Sequence, residues 1–308
     1  MAKNDTKKEI KMKINQNQSK KVKVALLQTT VSSDIKANLK KTIDKIKEAA
    51  KSGAKIICMQ ELFRTIYIGE SQKKEYFAYA ESLQGETITT MTKLAKELQI
   101  VLIVPIYEKA KDGNLYNSAI VVDADGKIVG HYRKMHIPND PGFWEQFYFK
   151  PGDFGFKAVQ TKYAKIGVLI CYDQWFPEAA RLMTLDGAEI LFYPTAIGWY
   201  KEKEPAVYDE YIEGWVTIQR AHAIANSVYV ASVNRVGKEF ADKVTFWGNS
   251  FIAGPFGKFL ARAGEKEETI MAECDLSQTY ETRDAWRFFY ERRTDAYEGL
   301  MQKKIKDF

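Results

Sequence analysis

From Lys21 onward the chain alternates between two hydrophobic periods. "KVKVALLQT" is an apolar run bounded by polar residues and predicts a strand. "IKANLKKTIDKIKEAAKSG" carries its apolar residues at helical spacing and stops at Gly53, a residue suited to a helix C-terminus. The same alternation continues with "AKIICMQE" as a strand, "ETITTMTKLAKELQ" as a helix and "IVLIVPIYE" as a strand. "NSAIVVDADGKIVGHY" places an Asp-Gly turn between two apolar runs, a hairpin pattern. Farther on, "KIGVLI", "AEILFYPT" and "SVYVASVN" predict strands. "FPEAARLMTLDG" and "YDEYIEGWVTIQRAHAIAN" predict the helices between them. "FWGNSFIAGPFGKFLARAG" and "ETIMAECDL" read as closing, hairpin-like strands.

Strands and helices in alternation, with hairpins interspersed, predict α/β layers. The runs rich in Ile, Val and Leu predict central strands covered on both faces. No Gly/Ser/Pro-rich linker and no internal repeat divides the chain, so its 308 residues read as one domain. No window approaches the roughly 18 uninterrupted apolar residues of a membrane span.

Composition changes this picture little: 45% of residues are apolar and 28% charged, as in ordinary globular proteins. The formal net charge of +6 owes much to the lysine-rich segment from Lys7 to Lys23. That segment lacks an apolar stretch of signal-peptide type. It reads as a solvated leader, because no basic stripe interleaved with aromatics follows to make a nucleic-acid surface. Cys58, Cys171 and Cys274 are odd in number and widely spaced, which predicts free thiols and a reducing, cytoplasmic setting. Cys58 and Cys274 fall within strands and read as buried structural thiols.

Cys171 is different, because it ends the strand "KIGVLI" just before a helix that Pro177 is suited to open. A thiol there is either a small buried hydrophobe or a nucleophile whose thiolate is favoured by a helix N-terminus. Two other strand ends carry charge: Glu61 after "IICMQ" and Lys134 after the hairpin. A carboxylate ending an apolar run is costly unless it is paired or functional. His131, His136 and His222 show no zinc-ligand spacing, and no phosphate-binding loop is present.

Taken together and in this order, "QELF" at Glu61, "YRKMHIP" at Lys134 and "ICYDQWFPE" at Cys171 resemble the three signature blocks of the nitrilase superfamily of carbon–nitrogen hydrolases. The resemblance runs from about Lys21 to Tyr297. It implies a single-domain α/β fold, a four-layer αββα sandwich, with a Glu-Lys-Cys triad and no metal or cofactor. Carried over by motif, Glu61 is the general base, Lys134 the cation beside the thiol and Cys171 the nucleophile. Lys134 and the backbone N–H of Tyr172 would stabilise the oxyanion. Glu145, in "DPGFWEQFYFKPGDFGF", matches a second glutamate that positions the lysine and the substrate.

Within the superfamily, the block from His136 to Gly198 is similar to N-carbamoylputrescine amidohydrolases. Gln174 and Trp175 stand where carbamoyl amino acid hydrolases carry two arginines suited to a carboxylate. The resemblance therefore implies a small-molecule carbamoyl amine as substrate, bound by Tyr172, Gln174 and Trp175. Asp209, Glu210 and Glu213 could attract its distal ammonium or could simply form a solvated acidic helix face. The alternatives are a carbamoyl amino acid hydrolase, an aliphatic amidase, and a non-catalytic binding member. The resemblance also implies a homo-oligomer, at least a dimer. The expected organisation is a basic tail over 1–20, the hydrolase domain over 21–290 and an extension over 291–308 available to a subunit interface. No nucleic-acid or membrane partner is expected.

Overall fold

The computed structural model describes residues 20–240 and 243–302. The basic tail, apart from Lys20, lies outside the described residues. Seventeen strands and five α-helices are present among those described.

β1 (Lys21–Gln28), β2 (Ile56–Met59) and β3 (Val101–Lys109) are parallel neighbours, and β4 (Leu115–Val122) and β5 (Ile128–Arg133) complete the predicted hairpin. Its turn closes through Gly126 N–H to the Asp123 carbonyl at 2.8 Å. The crossovers between the parallel strands are α1 (Ile35–Lys51) and α2 (Glu86–Leu98). Asp34 caps α1 by accepting from the backbone N–H groups of Lys36 and Ala37, both at 3.0 Å.

After two short strands, β6 (Asn139–Asp140) and β7 (Phe143–Trp144), the chain enters a second sheet through β8 (Val159–Gln160) and β9 (Lys165–Val168). There α3 (Pro177–Leu185) leads to β10 (Ile190–Pro194). After β11 (Gly198–Trp199), α4 (Pro205–Asn226) leads to β12 (Tyr229–Val233), with β9, β10 and β12 parallel. β13 (Val236–Lys238) and β14 (Thr245–Trp247) join β11 in a small separate sheet. β15 (Phe251–Ala253) and β16 (Phe259–Arg262) extend the second large sheet.

Period-two alternation sorts the first sheet between two cores. Val24, Leu26, Ile56, Cys58 and Ile103 pack toward Val168, Ile190, Phe192 and Val230 of the second sheet. Ala25, Leu27, Ile57, Leu102 and Val104 pack instead against Leu39 and Ile46 of α1 and Met91 and Leu94 of α2. On the far side, Ala179, Ala180 and Met183 of α3 and Trp215 and Val216 of α4 cover the second sheet. The layers therefore run α, β, β, α.

Two features depart from the pattern reading. β17 (Glu268–Asp275) does not close a hairpin with β16. It crosses to the first sheet and pairs antiparallel with β1 from Lys21↔Asp275 to Gln28↔Glu268, covering what would be an open edge. A fifth helix, α5 (Ser277–Ala285), follows it. Its one buried residue is Thr279, so it carries no apolar stripe that periodicity could detect.

Candidate active site

Glu61, Lys134 and Cys171 lie just past β2, β5 and β9, and Thr195 and Asn234 just past β10 and β12. These strands all point the same way, so their C-terminal ends converge at one rim of the sandwich, where open α/β sheets gather functional groups.

Lys134 is fully buried between two carboxylates. Its Nζ lies 2.9 Å from Glu61 Oε1 and 2.6 Å from Glu145 Oε2. Burial works against its charge, but the facing Glu145 and Glu61 carboxylates prevail and hold Lys134 above the ordinary lysine range. Burial pushes the Glu145 carboxyl up, with Glu61 adding to the effect. The other Glu145 oxygen accepts from the Tyr67 hydroxyl at 2.6 Å. Glu61 Oε1 also accepts from Asn117 Nδ2 at 2.7 Å. Glu61 Oε2 is buried and has no hydrogen-bond partner among the described residues. One oxygen of this carboxylate is thus fixed by two donors and the other is left available to accept.

The turn that carries Glu61 is itself held from behind. Leu62 has φ +49°, and the guanidinium of fully buried Arg235 donates to the Glu61 and Leu62 carbonyls, both at 2.9 Å. Arg235 also pairs with Glu239, which accepts the Tyr67 backbone N–H at 2.6 Å. Beyond it, Glu70 accepts from Val244 N–H at 3.1 Å, and burial together with Glu239 pushes the Glu70 carboxyl up to about 8.

Cys171 stands on a strained turn with φ +45°, a conformation that costs a non-glycine residue about 1–3 kcal/mol and recurs at functional sites. Here the structure corrects the sequence reading. Cys171 heads a separate 3₁₀ turn, Cys171–Trp175, while α3 begins later at Pro177. Its thiol is therefore not at an α-helix N-terminus. Burial pushes it well above the ordinary cysteine range, as does the Glu61 carboxylate, against the opposing pull of Lys134. The sulfur is close enough to feel all three charges.

Asp173 fixes this turn. Its Oδ2 accepts from Ile170 N–H at 2.9 Å and from the Tyr132 hydroxyl at 2.8 Å. Its Oδ1 accepts from His136 N–H at 3.0 Å. The segments that flank Cys171 and Lys134 are thereby tied to one buried carboxylate.

Cys171 opens into a cavity of about 470 Å³. The three predicted substrate contacts, Tyr172, Gln174 and Trp175, line it, together with Asp140, Trp199, Tyr211 and Trp247. Gln174 Oε1 is taken by Trp215 Nε1 at 2.8 Å and by the Thr195 hydroxyl at 3.2 Å. Asp209, Glu210 and Glu213 on α4 are not among the lining residues, and the acidic group that lines the cavity is Asp140, itself exposed.

The three histidines are apart: His131 lies against Glu108, His136 against Asp173, and His222 against the Gln174 carbonyl. Cys58 and Cys274 are buried free thiols in β2 and β17. Among the described residues no helix is long and apolar enough to cross a membrane. Sequence reasoning did not single out Tyr67, Asn117, Asp140 or Arg235, each of which is brought to the site by a distant segment.

The carbon–nitrogen hydrolase family model matches residues 23–284. An N-carbamoylputrescine amidase of Solanum tuberosum is 46% identical over 291 residues, 91% of this chain and 95% of that protein. A citrullinase of Francisella tularensis is 42% identical over 288 residues, 92% of this chain and 99% of that one. A crystal structure of a carbon–nitrogen hydrolase from Helicobacter pylori superposes with a TM-score of 0.89 at 41% identity, covering 92% of this chain and all of that one. With the family matched across nearly all of the described fold, the chain belongs to the carbon–nitrogen hydrolases of the nitrilase superfamily.

Proposed function

We propose that this protein hydrolyses the carbamoyl C–N bond of N-carbamoylputrescine, releasing putrescine, ammonia and carbon dioxide. The observation that carries the reaction is the buried Glu61–Lys134–Glu145 cluster, whose charges are felt at the Cys171 sulfur on the cavity floor. The likeness to N-carbamoylputrescine amidases supports the substrate.

In this reading Glu61 Oε2 accepts the thiol proton as Sγ attacks the urea carbonyl carbon. A base is needed because burial disfavours the thiolate. The developing oxyanion is stabilised by the Lys134 ammonium and the Tyr172 backbone N–H, and loss of one such donor costs about 10²–10³ in rate. Ammonia departs with the proton held by Glu61 and leaves a carbamoyl thioester on Cys171. Water, deprotonated by Glu61, attacks that carbonyl, and the thiol is restored. The freed carbamic acid loses carbon dioxide to give the amine. Glu145 and Tyr67 keep Lys134 aimed at the reacting carbon.

We also propose self-association. Leu182 and Leu185 of α3 are 45% and 44% exposed, and Phe256 stacks on Trp286 with both largely exposed. Such exposed apolar side chains are suited to contact with a second copy.

The test is ammonia release from N-carbamoylputrescine, compared with L-citrulline and short aliphatic amides. The expected result is turnover of N-carbamoylputrescine above the others, lost in Cys171→Ala with the thermal transition retained. Turnover that survives Cys171→Ala would refute the mechanism, and a preference for citrulline or for simple amides would refute the substrate.

A further inference from the structure

We propose that Asp140 selects the substrate's tail by its charge, admitting a cation and turning away a carboxylate. The proposal rests on the carbamoyl-amine reading above and assigns its specificity to one residue.

Among the described lining residues of the cavity, Asp140 is the one carboxylate, and no lysine, arginine or histidine lines it. The remaining wall is largely aromatic and apolar, with Phe143, Trp175, Trp199, Tyr211 and Ile197 among its members. Asp140 is exposed at the rim of the cavity, and its side chain has no ion-pair or hydrogen-bond partner among the described residues. It lies close enough to Tyr172, the residue after the nucleophile, that, after burial, it is the next cause of the raised Tyr172 hydroxyl.

The carrier of Asp140 is stiff. β6 and β7 form a hairpin with Asn139↔Trp144 and Asp140↔Phe143, and Glu145 follows immediately. Gln146 Nε2 donates to the Ile137 carbonyl at 3.0 Å and closes the base of the hairpin. The group that would meet the tail is therefore connected by a few residues to the group that aims Lys134. Trp199, which also lines the cavity, is held by its Nε1 bond to Glu204 at 2.9 Å and packs on Tyr211 with ring centroids 5.0 Å apart. Aromatic faces of this kind add to the attraction for an ammonium.

The cavity also holds two buried donors without partners among the described residues, Gln174 Nε2 and Trp247 Nε1. Both are neutral. Neither can repay the desolvation of a carboxylate brought beside Asp140. An amino acid tail such as citrulline's is disfavoured for that reason, and a plain alkylammonium tail is favoured.

The experiment compares the wild-type enzyme, Asp140→Asn and Asp140→Glu on N-carbamoylputrescine and on N-butylurea, which has the same urea on an uncharged tail. Asp140→Asn is expected to lower kcat/KM for N-carbamoylputrescine about tenfold or more, through KM, and to leave N-butylurea within about twofold. Asp140→Glu is expected to recover part of the loss. An equal fall on both substrates, or no fall on either, overturns the proposal. Calorimetric binding of putrescine needs no turnover and separates this proposal from the substrate reading. Weaker binding by Asp140→Asn is expected, and equal affinity in the two proteins overturns the role of Asp140 whatever the natural substrate proves to be.

Discussion

Asp173 and His136 are joined twice: the Asp173 carboxylate oxygen Oδ1 lies 3.0 Å from the His136 backbone N–H and 2.7 Å from its ring Nδ1. The ring also stacks on Phe176 with centroids 3.6 Å apart. The link spans the two large sheets, because His136 follows the lysine at the end of β5 and Asp173 follows the cysteine at the end of β9. Replacing Asp173 with Ala leaves the Ile170 N–H and Tyr132 hydroxyl as buried donors without an acceptor, at a cost of about 3 kcal/mol. The denaturation midpoint should fall accordingly, and kcat should fall with it because the Cys171 turn loses its brace. A variant with full stability and full activity would contradict this account.

Glu61→Gln offers a cleaner separation of structure from chemistry. The amide oxygen can take the place of Oε1 and keep the bonds from Asn117 and Lys134. The amide nitrogen then replaces Oε2, the oxygen that has no partner among the described residues. The fold should survive, whereas kcat should fall by about 10²–10⁴, the range of a lost general base. Circular dichroism and steady-state rates on one preparation test both halves.

Glu70 predicts a pH effect on stability rather than on chemistry. Its carboxyl is pushed from the usual 4.5 up to about 8 by burial and by Glu239, with the Val244 N–H bond, Lys243 and Arg235 pulling the other way. Between those values the folded protein holds a proton that the unfolded chain has released. The contribution of Glu70 is therefore fully present below pH 4.5 and is lost as pH rises toward 8. Glu70→Gln should keep the acceptor for Val244 N–H and remove the titration. Denaturant curves should show the variant gaining on the wild type between pH 5 and pH 8, and a constant difference would refute the assignment.

Charging the outer face of α3 tests the assembly. Leu182→Glu with Leu185→Glu should leave the tertiary fold intact, since both side chains are already substantially exposed. Light scattering should report at least a dimer for the wild type and a smaller species for the double variant. An unchanged mass would place the interface elsewhere.

The central elements were legible in the sequence because they bury whole runs or single faces. Thus β1 alternates Val22, Val24 and Leu26 toward the second sheet with Ala25 and Leu27 toward the helices. Glu61 and Cys171 each end an apolar run and Lys134 follows a hairpin, but it was the three motif blocks around them, taken in order, that singled them out. The cavity's far walls were not legible. Asp140, Trp199 and Tyr211 lie in short or exposed segments whose local pattern is that of any loop or helix surface, and only tertiary pairing brings them together. Arg235 was equally hidden: an arginine after a strand gives no local sign that its guanidinium will be buried against Glu61 and Leu62. The nature of the Cys171 turn depended on one backbone angle that composition does not encode.

The antiparallel pairing of β17 with β1 has a practical consequence. Lys21 lies opposite Asp275, and Leu276 N–H donates to the Lys20 carbonyl at 3.2 Å, so the start of the first strand and the close of the last meet at one corner. That corner is the entry end of β1, whereas Glu61 and the other proposed catalytic groups lie past the exit ends of strands such as its parallel neighbour β2. A surface tether joined directly at Lys20 would thus start from the end of β1 far from Glu61, leaving the cavity side of the enzyme open to solvent when it is immobilised.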